Sequence, residues 1–303
     1  MRYIIVFFLF VFYACTDELN VYENKDDNKL VIEGQIVNKI TNSYVESYVR
    51  LSKSKLGVNK TGDYWNDGFT YVNDAVVIVK DDLGIVDTFS IASDSLDYDW
   101  TDPQGFCHQG RRTNYNFQKG YYTSNKLNPR ENQTFYLTIQ YQGKEYHSNC
   151  FMPVLPKMDS ISFKMEVSGN DEMGNTPYLY FKDPPNEKNY YLFVGLPAET
   201  YWNFIVLDDK LINPDVKGIN IFSGVTNTYW RSKFIVPFSP YHLEVHSLTK
   251  EAFNYYDVLG KLFINDGGNY KPSPASPNSN IDNGGLGFFR ASSVHIFEGI
   301  IYK

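Results

Sequence analysis

Short runs of alternating hydrophobic and polar residues recur along most of the chain, and Gly, Pro, Asn or Asp interrupts them at regular intervals. Leu30 to Asn38 (LVIEGQIVN) mixes β-branched residues with alternating polarity, which predicts an opening strand. Tyr44 to Ser52 alternates again, Ala75 to Lys80 (AVVIVK) is a compact apolar run, and Asp81-Asp82-Leu83-Gly84 supplies turn chemistry before Ile85 to Ile91. Thr134 to Tyr141 and Glu145 to Cys150, joined by Gln142-Gly143-Lys144, form the clearest hairpin; Phe135, Leu137 and Ile139 should face the sheet interior. These segments predict a mostly β chain whose first domain, residues 30–153, is an Ig-like β-sandwich of about 120 residues.

Pro153 and Pro156 punctuate the pattern, which restarts at Ile161, so a second β domain is expected over 157–303. Its candidate strands are Ile161 to Val167, Tyr178 to Lys182, Tyr190 to Gly195, Asn203 to Leu207, Tyr229 to Val236 and His242 to Leu248. Thr249 to Phe263 places Phe253, Tyr256, Leu259 and Phe263 at helical spacing, with Ser247 or Thr249 able to cap the start; it predicts one helix covering a sheet. Asn265 to Gly285 is rich in Gly, Pro, Asn and Ser and predicts a long loop. Leu286 to Tyr302 returns to apolar alternation, expected as closing strands that pair into the second sheet.

The first residues follow a different rule. One basic residue, Arg2, precedes an apolar run from Ile4 to Ala14, which is about 11 residues long against the ~20 that a membrane-spanning helix needs. Residues 1–14 therefore predict an export signal. Cys15 stands directly after the small Ala14, the arrangement that bacterial lipoprotein signal peptidase uses, so Cys15 is expected to become the lipidated first mature residue, palmitate among its acyl chains. Phe12 and Tyr13 depart from the usual Leu and small residue at those positions. The polar stretch 15–29 reads as a tether, and Thr16-Asp17-Glu18 resembles the acidic signal that follows the lipidated cysteine in surface-exposed lipoproteins of Bacteroidota. The expected location is the outer membrane, lipid-anchored and surface-exposed, with a periplasm-facing orientation as the alternative.

Composition narrows the partners. The 303 residues carry 28 Lys plus Arg against 35 Asp plus Glu, a net charge of −7, with no basic block to meet phosphates, so no nucleic acid is expected as partner. With Cys15 given to lipid, Cys107 and Cys150 remain as an even pair outside the cytoplasm, and a disulfide between them is expected.

The chain holds 25 Tyr, 22 Phe and 4 Trp, many of which must form the core. Tyr64, Trp65, Trp100, Tyr201, Trp202 and Trp230 instead lie in or near turn-rich segments beside Asn and Asp, where ring faces and amides suit sugar or peptide capture; ordinary packing is the competing reading. His242-Leu243-Glu244-Val245-His246 alternates as a strand, so His242, Glu244 and His246 share one face, and an exposed polar strand face is preferred to a metal site. The zincin order, a GxSxG elbow and a phosphate loop are absent from the sequence. Asp81-Asp82, Asp208-Asp209 and the Asp97 and Asp99 pair are read as turn residues before glycosidase acids, and Asp94 to Trp100 as a solvated acidic loop before a calcium loop. No cofactor, metal or catalytic residue is expected.

Four stretches in order, LVIEGQIVN, DAVVIVKDDLG, FYLTIQYQGKEYHS and the closing SNIDNGGLGFFRASSV, resemble the Bacteroidota outer-membrane lipoproteins catalogued as domain of unknown function 4249. Members of that family sit beside genes for TonB-dependent transporters and have no assigned catalytic residues. The resemblance implies a noncatalytic surface lipoprotein, accessory to a TonB-dependent transporter in ligand capture or nutrient uptake. An adhesin or structural surface protein is the alternative, and a hydrolase ranks after both.

Overall fold

The structure, a computed structural model, describes residues 29–38, 45–54, 70–92, 97–101, 107–111, 120–124, 126–167, 173–194, 204–211, 215–220, 240–264 and 276–301. At 97–101, 107–111, 173, 211, 215–217, 240 and 263–264 only the backbone is described. Most of these residues lie in strands, in keeping with the β-branched and aromatic alternation of the sequence.

The first ten strands in chain order are β1 (Leu30–Val37), β2 (Tyr48–Lys53), β3 (Thr70–Tyr71), β4 (Val76–Asp81), β5 (Val86–Ile91), β6 (Asp97–Thr101), β7 (Cys107–Arg111), β8 (Tyr121–Thr123), β9 (Thr134–Tyr141) and β10 (Lys144–Phe151). The remainder is β11 (Met158–Val167), β12 (Met173–Lys182), β13 (Tyr190–Val194), β14 (Phe204–Asp208), β15 (Asp215–Asn220), β16 (Pro240–Leu248), helix α1 (Lys250–Ile264), β17 (Leu286–Ser292) and β18 (Val294–Ile300).

One large sheet runs β10-β9-β4-β5-β8-β2-β1-β17, with β3 added on β2. All its pairs are antiparallel except β1 with β17, which is parallel from Val31 opposite Leu286 to Val37 opposite Ser292. The sheet curls into a nearly closed barrel whose two edge strands, β10 and β17, lie side by side. This replaces the expected Ig-like sandwich. Alternation reports that a strand has one buried face, and a curled sheet satisfies it as well as two stacked sheets do. Phe135, Leu137 and Ile139 do point inward, where they meet Ile32, Ile36, Leu51, Val77 and Phe289.

The seam between β10 and β17 is closed by residues 280–283. Asn280 Nδ2 donates to the Phe289 carbonyl at 2.7 Å, and its Oδ1 accepts from the Phe289 amide at 2.9 Å, so one side chain imitates a neighbouring strand. On the other flank Ser148 Oγ donates to the Asn280 carbonyl at 2.9 Å, and the Asp282 amide donates to the His147 carbonyl at 3.0 Å. The His147 amide returns a bond to Asp282 Oδ1 at 2.5 Å, and Asn283 Nδ2 reaches the Glu145 carbonyl at 2.8 Å. Ile281 between them plugs into the barrel core. Gly287 sets the approach of β17 to β1: its φ is +95°, and a Cβ there would stand 2.1 Å from the Ile32 carbonyl oxygen.

The second part holds two sheets, β11-β12-β15 and β14-β13-β16-β18. They enclose a separate core of Met158, Leu179, Phe181, Tyr191, Phe193, Leu243, Val245 and Ile301. α1 covers the opposite face of the four-stranded sheet, setting Phe253, Tyr255 and Tyr256 against Tyr190, Leu192, Leu248 and the Phe288 ring from β17. Covered on both faces, β13 reads as the unbroken apolar run YYLFV. Thr249 Oγ1 caps the helix by accepting from the Ala252 amide at 3.3 Å, one residue from the expected boundary.

The closing stretch divides between the two parts: β18 pairs with β16 as expected, whereas β17 joins β1 in the first sheet. The strand expected at Tyr229 to Val236 lies outside the described residues.

Replacing Asn280 by Ala should cost about 1–3 kcal/mol, because two buried backbone groups of Phe289 lose their partner. Gly287→Ala should cost more, since the new methyl meets backbone rather than a movable side chain. Chemical denaturation followed by far-UV circular dichroism would show both, in that order.

Candidate functional site

Along β17, Phe289 and Ala291 point into the barrel, so Phe288, Arg290 and Ser292 point out of it toward the second part. Arg290 is only 5% exposed. Its Nη2 donates to Gln35 Oε1 of β1 at 2.6 Å, Nη1 to Ser292 Oγ at 2.7 Å and Nε to the Tyr256 hydroxyl of α1 at 3.0 Å. The guanidinium also lies 5.6 Å from the centroid of the Tyr256 ring.

Arg290 Nη1 reaches His246 Nδ1 at 3.2 Å, joining the barrel wall to β16. A guanidinium offers only donors, so Nδ1 accepts and the proton of neutral His246 sits on Nε2. From there it is donated to Glu244 Oε2 at 2.8 Å. His242 Nε2 lies 3.1 Å from Glu244 Oε1, and its Nδ1 lies 3.5 Å from Glu298 Oε2 on β18. The result is a row of polar groups leading from a buried cation between the two parts to a carboxylate that is 58% exposed.

Burial, then the Arg290 charge, push the His246 pKa down against the pull of Glu244. Burial alone would raise Glu244; the hydrogen bonds from His246 and His242 more than reverse that and hold its carboxyl well below the ordinary range. Glu298 is also held down, chiefly by its bond with His242. At its buried end the row keeps the Arg290 cation and the Glu244 carboxylate linked through a neutral imidazole, which suits holding an interface more than activating a nucleophile.

His242, Glu244 and His246 do share one strand face, but that face is covered toward its His246 end: His246 is wholly buried, Glu244 half-buried and His242 28% exposed. The exposed polar face expected from the sequence is corrected by the packing of β17 and α1 over β16. Among the described residues no group of three or more His, Cys, Asp or Glu is arranged to hold a metal ion. Arg290, Gln35 and Tyr256 were not expected in a site. The signal for Arg290 was a lone charge in the apolar stretch LGFFRA.

Asp81 Oδ1 accepts from the Ile85 amide at 2.7 Å, and Asp82 Oδ2 from the Thr134 amide at 2.9 Å. Asp208 Oδ1 accepts from the Lys210 amide at 3.0 Å, and Asp209 Oδ2 from the Asn189 amide at 2.5 Å. Asp81 and Asp208 do the turn work expected of them, whereas Asp82 and Asp209 satisfy backbone donors of segments distant in sequence. A cleft of about 400 Å³ beside Asp209 is lined by Asp183, Pro184, Glu187, Lys188 and Lys210 as well. The buried Asp183 carboxylate is taken up by the Tyr191 hydroxyl and, at 3.4 Å, by Asn189 Nδ2.

Asp97 to Trp100 forms strand β6, whose Trp100 stands opposite His108 of β7. This hairpin replaces the acidic loop expected from Asp97 onward, while Asp94 lies outside the described residues. Tyr64, Trp65, Tyr201, Trp202 and Trp230 also lie outside them, as do Cys15 and the whole signal segment. Cys150 is a free thiol in the barrel core, with its pKa raised well above the ordinary value by burial. The backbone of Cys107, its expected disulfide partner, belongs to the separate β6 and β7 hairpin, and the side chain of Cys107 lies outside the described residues. No helix among the described residues is long and apolar enough to cross a membrane.

The shifted groups give a pH dependence with a definite sign. His246 binds its proton less readily folded than unfolded, so its contribution is complete above its ordinary value of 6.5 and is lost as the pH falls below it. Glu244, depressed in the fold, contributes above its ordinary 4.5 and loses that contribution as acid protonates it. Both act in the same direction, so denaturation midpoints should fall steadily from pH 7 to pH 4. His246→Gln should flatten the slope between about pH 5 and 7, and His246→Phe, which removes one of the four acceptors of Arg290 and the donor to Glu244, should cost about 1–3 kcal/mol at pH 7.

No curated protein and no solved structure matches the chain. A family model does: the one described as domain of unknown function (DUF4249) matches residues 16–297, which take in the barrel, the second part up to the middle of β18, and the polar row from Arg290 to His242, with Glu298 just beyond the match. Strands β1 and β17, which open and close the barrel, both fall within the match, and the chain belongs to the DUF4249 family.

Proposed function

We propose that the protein is a noncatalytic lipoprotein, anchored to the outer membrane through lipid on Cys15 and exposed at the cell surface, where it captures or presents a ligand for a TonB-dependent transporter. The observation that carries this reading is the apolar run Ile4 to Ala14, ending at Cys15 and followed at once by Thr16-Asp17-Glu18 and a polar tether. The structural features described above are compatible with it. The buried acids and the histidine of the polar row are engaged with one another, and the two cores make a firm body to set at the end of a tether. Tyr64, Trp65, Trp100, Tyr201, Trp202 and Trp230 are the aromatics proposed to meet the ligand.

Two measurements on cells test this function. Cys15→Ala should move the chain from the membrane fraction to a soluble one. A tagged wild-type chain, extracted in mild detergent, should bring a TonB-dependent barrel with it; recovery of the tagged protein alone, under conditions that keep known transporter complexes together, would overturn the transporter role. Removing Trp65 and Trp202 together should leave that complex intact while lowering ligand retention.

A further inference from the structure

The barrel disposes of its edges by curling, but β11 has no such cover. It pairs only with β12, and along its other side its backbone has no hydrogen-bond partner among the described residues. Open edges are usually blunted by shortness, Pro or a bulge. β11 is ten residues long, lacks Pro, and carries its one irregularity at its very start, between Met158 and Ser160.

The side chains of its far half add a second observation. Ile161 and Phe163 lean on the second core, and the same face continues past it to Met165 and Val167, which are 49% and 59% exposed. The opposite face carries Lys164 and Glu166.

We infer that this half of β11 is a dimerisation edge that pairs antiparallel with β11 of a second copy, about a twofold axis at Met165. Such an axis stands perpendicular to the joined sheet and keeps its faces matched, so each residue faces one of its own parity. Centring on Met165 sets Lys164 opposite Glu166 of the second copy, twice, and Phe163 opposite Val167, twice. Centring on Lys164 or Glu166 sets like charges together, and centring on Ser162 or Phe163 leaves both charges facing serine or no charge. The Met165 register alone joins the exposed apolar row and balances the charges. A lysine that would deter an unrelated strand is then a device of self-recognition.

Sedimentation of the full chain in detergent should show a monomer–dimer equilibrium. Lys164→Glu and Glu166→Lys should each weaken it at least about tenfold, and the double exchange should restore it. Because Glu166 also accepts from Tyr178 and Thr176 within its own chain, a cross-linking measurement guards against misfolding of its variant. Met165→Cys should cross-link readily on oxidation, and Asp159→Cys, far from the axis, should not. A wild-type chain that stays monomeric at every accessible concentration overturns the inference, as do equal cross-linking of the two cysteine variants or a double exchange that fails to recover the dimer.

Discussion

Strand β17 pairs with β1 across an interval of about 255 residues, and most of the architecture hangs on that pair. Its inward side chains, Phe289 and Ala291, complete the barrel core; its outward side chains, Phe288 and Arg290, enter the helix-covered core and the polar row. One seven-residue strand thus belongs to both parts of the molecule. The closing of so long a loop is entropically costly and is compensated only when the contacts on both faces form together. A fold built this way should gain its stability late and in one step, since neither core is finished until the end of the chain arrives. The boundary expected at Pro153 and Pro156 coincides with the change from the barrel sheet to the β11-β12-β15 sheet, and β17 returns across it.

The interface held by Arg290 is polar where a purely apolar one would be cheaper to form. A buried guanidinium must recover its lost hydration through several donors at once, and here Gln35, Ser292, Tyr256 and His246 supply acceptors from β1, β17, α1 and β16. That set exists in a single relative placement of barrel, helix and second sheet. Apolar packing between Phe288 and Tyr255 would tolerate small slides, whereas the polar row does not. Its contribution is thus one of alignment, and its dependence on a neutral His246 ties that alignment to the protonation of one imidazole.

What the sequence made legible was local. The hairpin of β9 and β10, the turn at Asp81 to Gly84 and the helix at 250–264 are each specified within about 20 residues by alternation, turn chemistry or a cap, and each was found within a residue or two of its expected place. The pairing of β17 was not legible, because a strand's own pattern shows that one face is buried without naming its neighbour. The same limit explains the curled sheet that stands where a sandwich was expected. SNIDNGG reads as loop by composition, yet Asn280 and Asp282 use their side chains to complete a sheet, a role that becomes visible only with β10 and β17 on either side. In His242 to His246 the shared face was readable, but its burial was not, since the cover comes from β17 and α1.

The seam also gives a measure for judging the other edges of the molecule. Where β10 and β17 fail to pair directly, the chain spends six hydrogen bonds from Asn280, Asp282 and Asn283 to satisfy the exposed backbone. β14, another outer strand, has its side chains Phe204 and Val206 packed beneath α1. β11 receives neither treatment, although its distal apolar face is as exposed as any in the described structure apart from the turn at Leu83. An unprotected edge beside such protected ones is more economically explained by a strand that covers it in the assembled state than by an omission, and the alternation of Phe163, Lys164, Met165, Glu166 and Val167 says what that strand should look like: apolar on one face, oppositely charged on the other, and antiparallel.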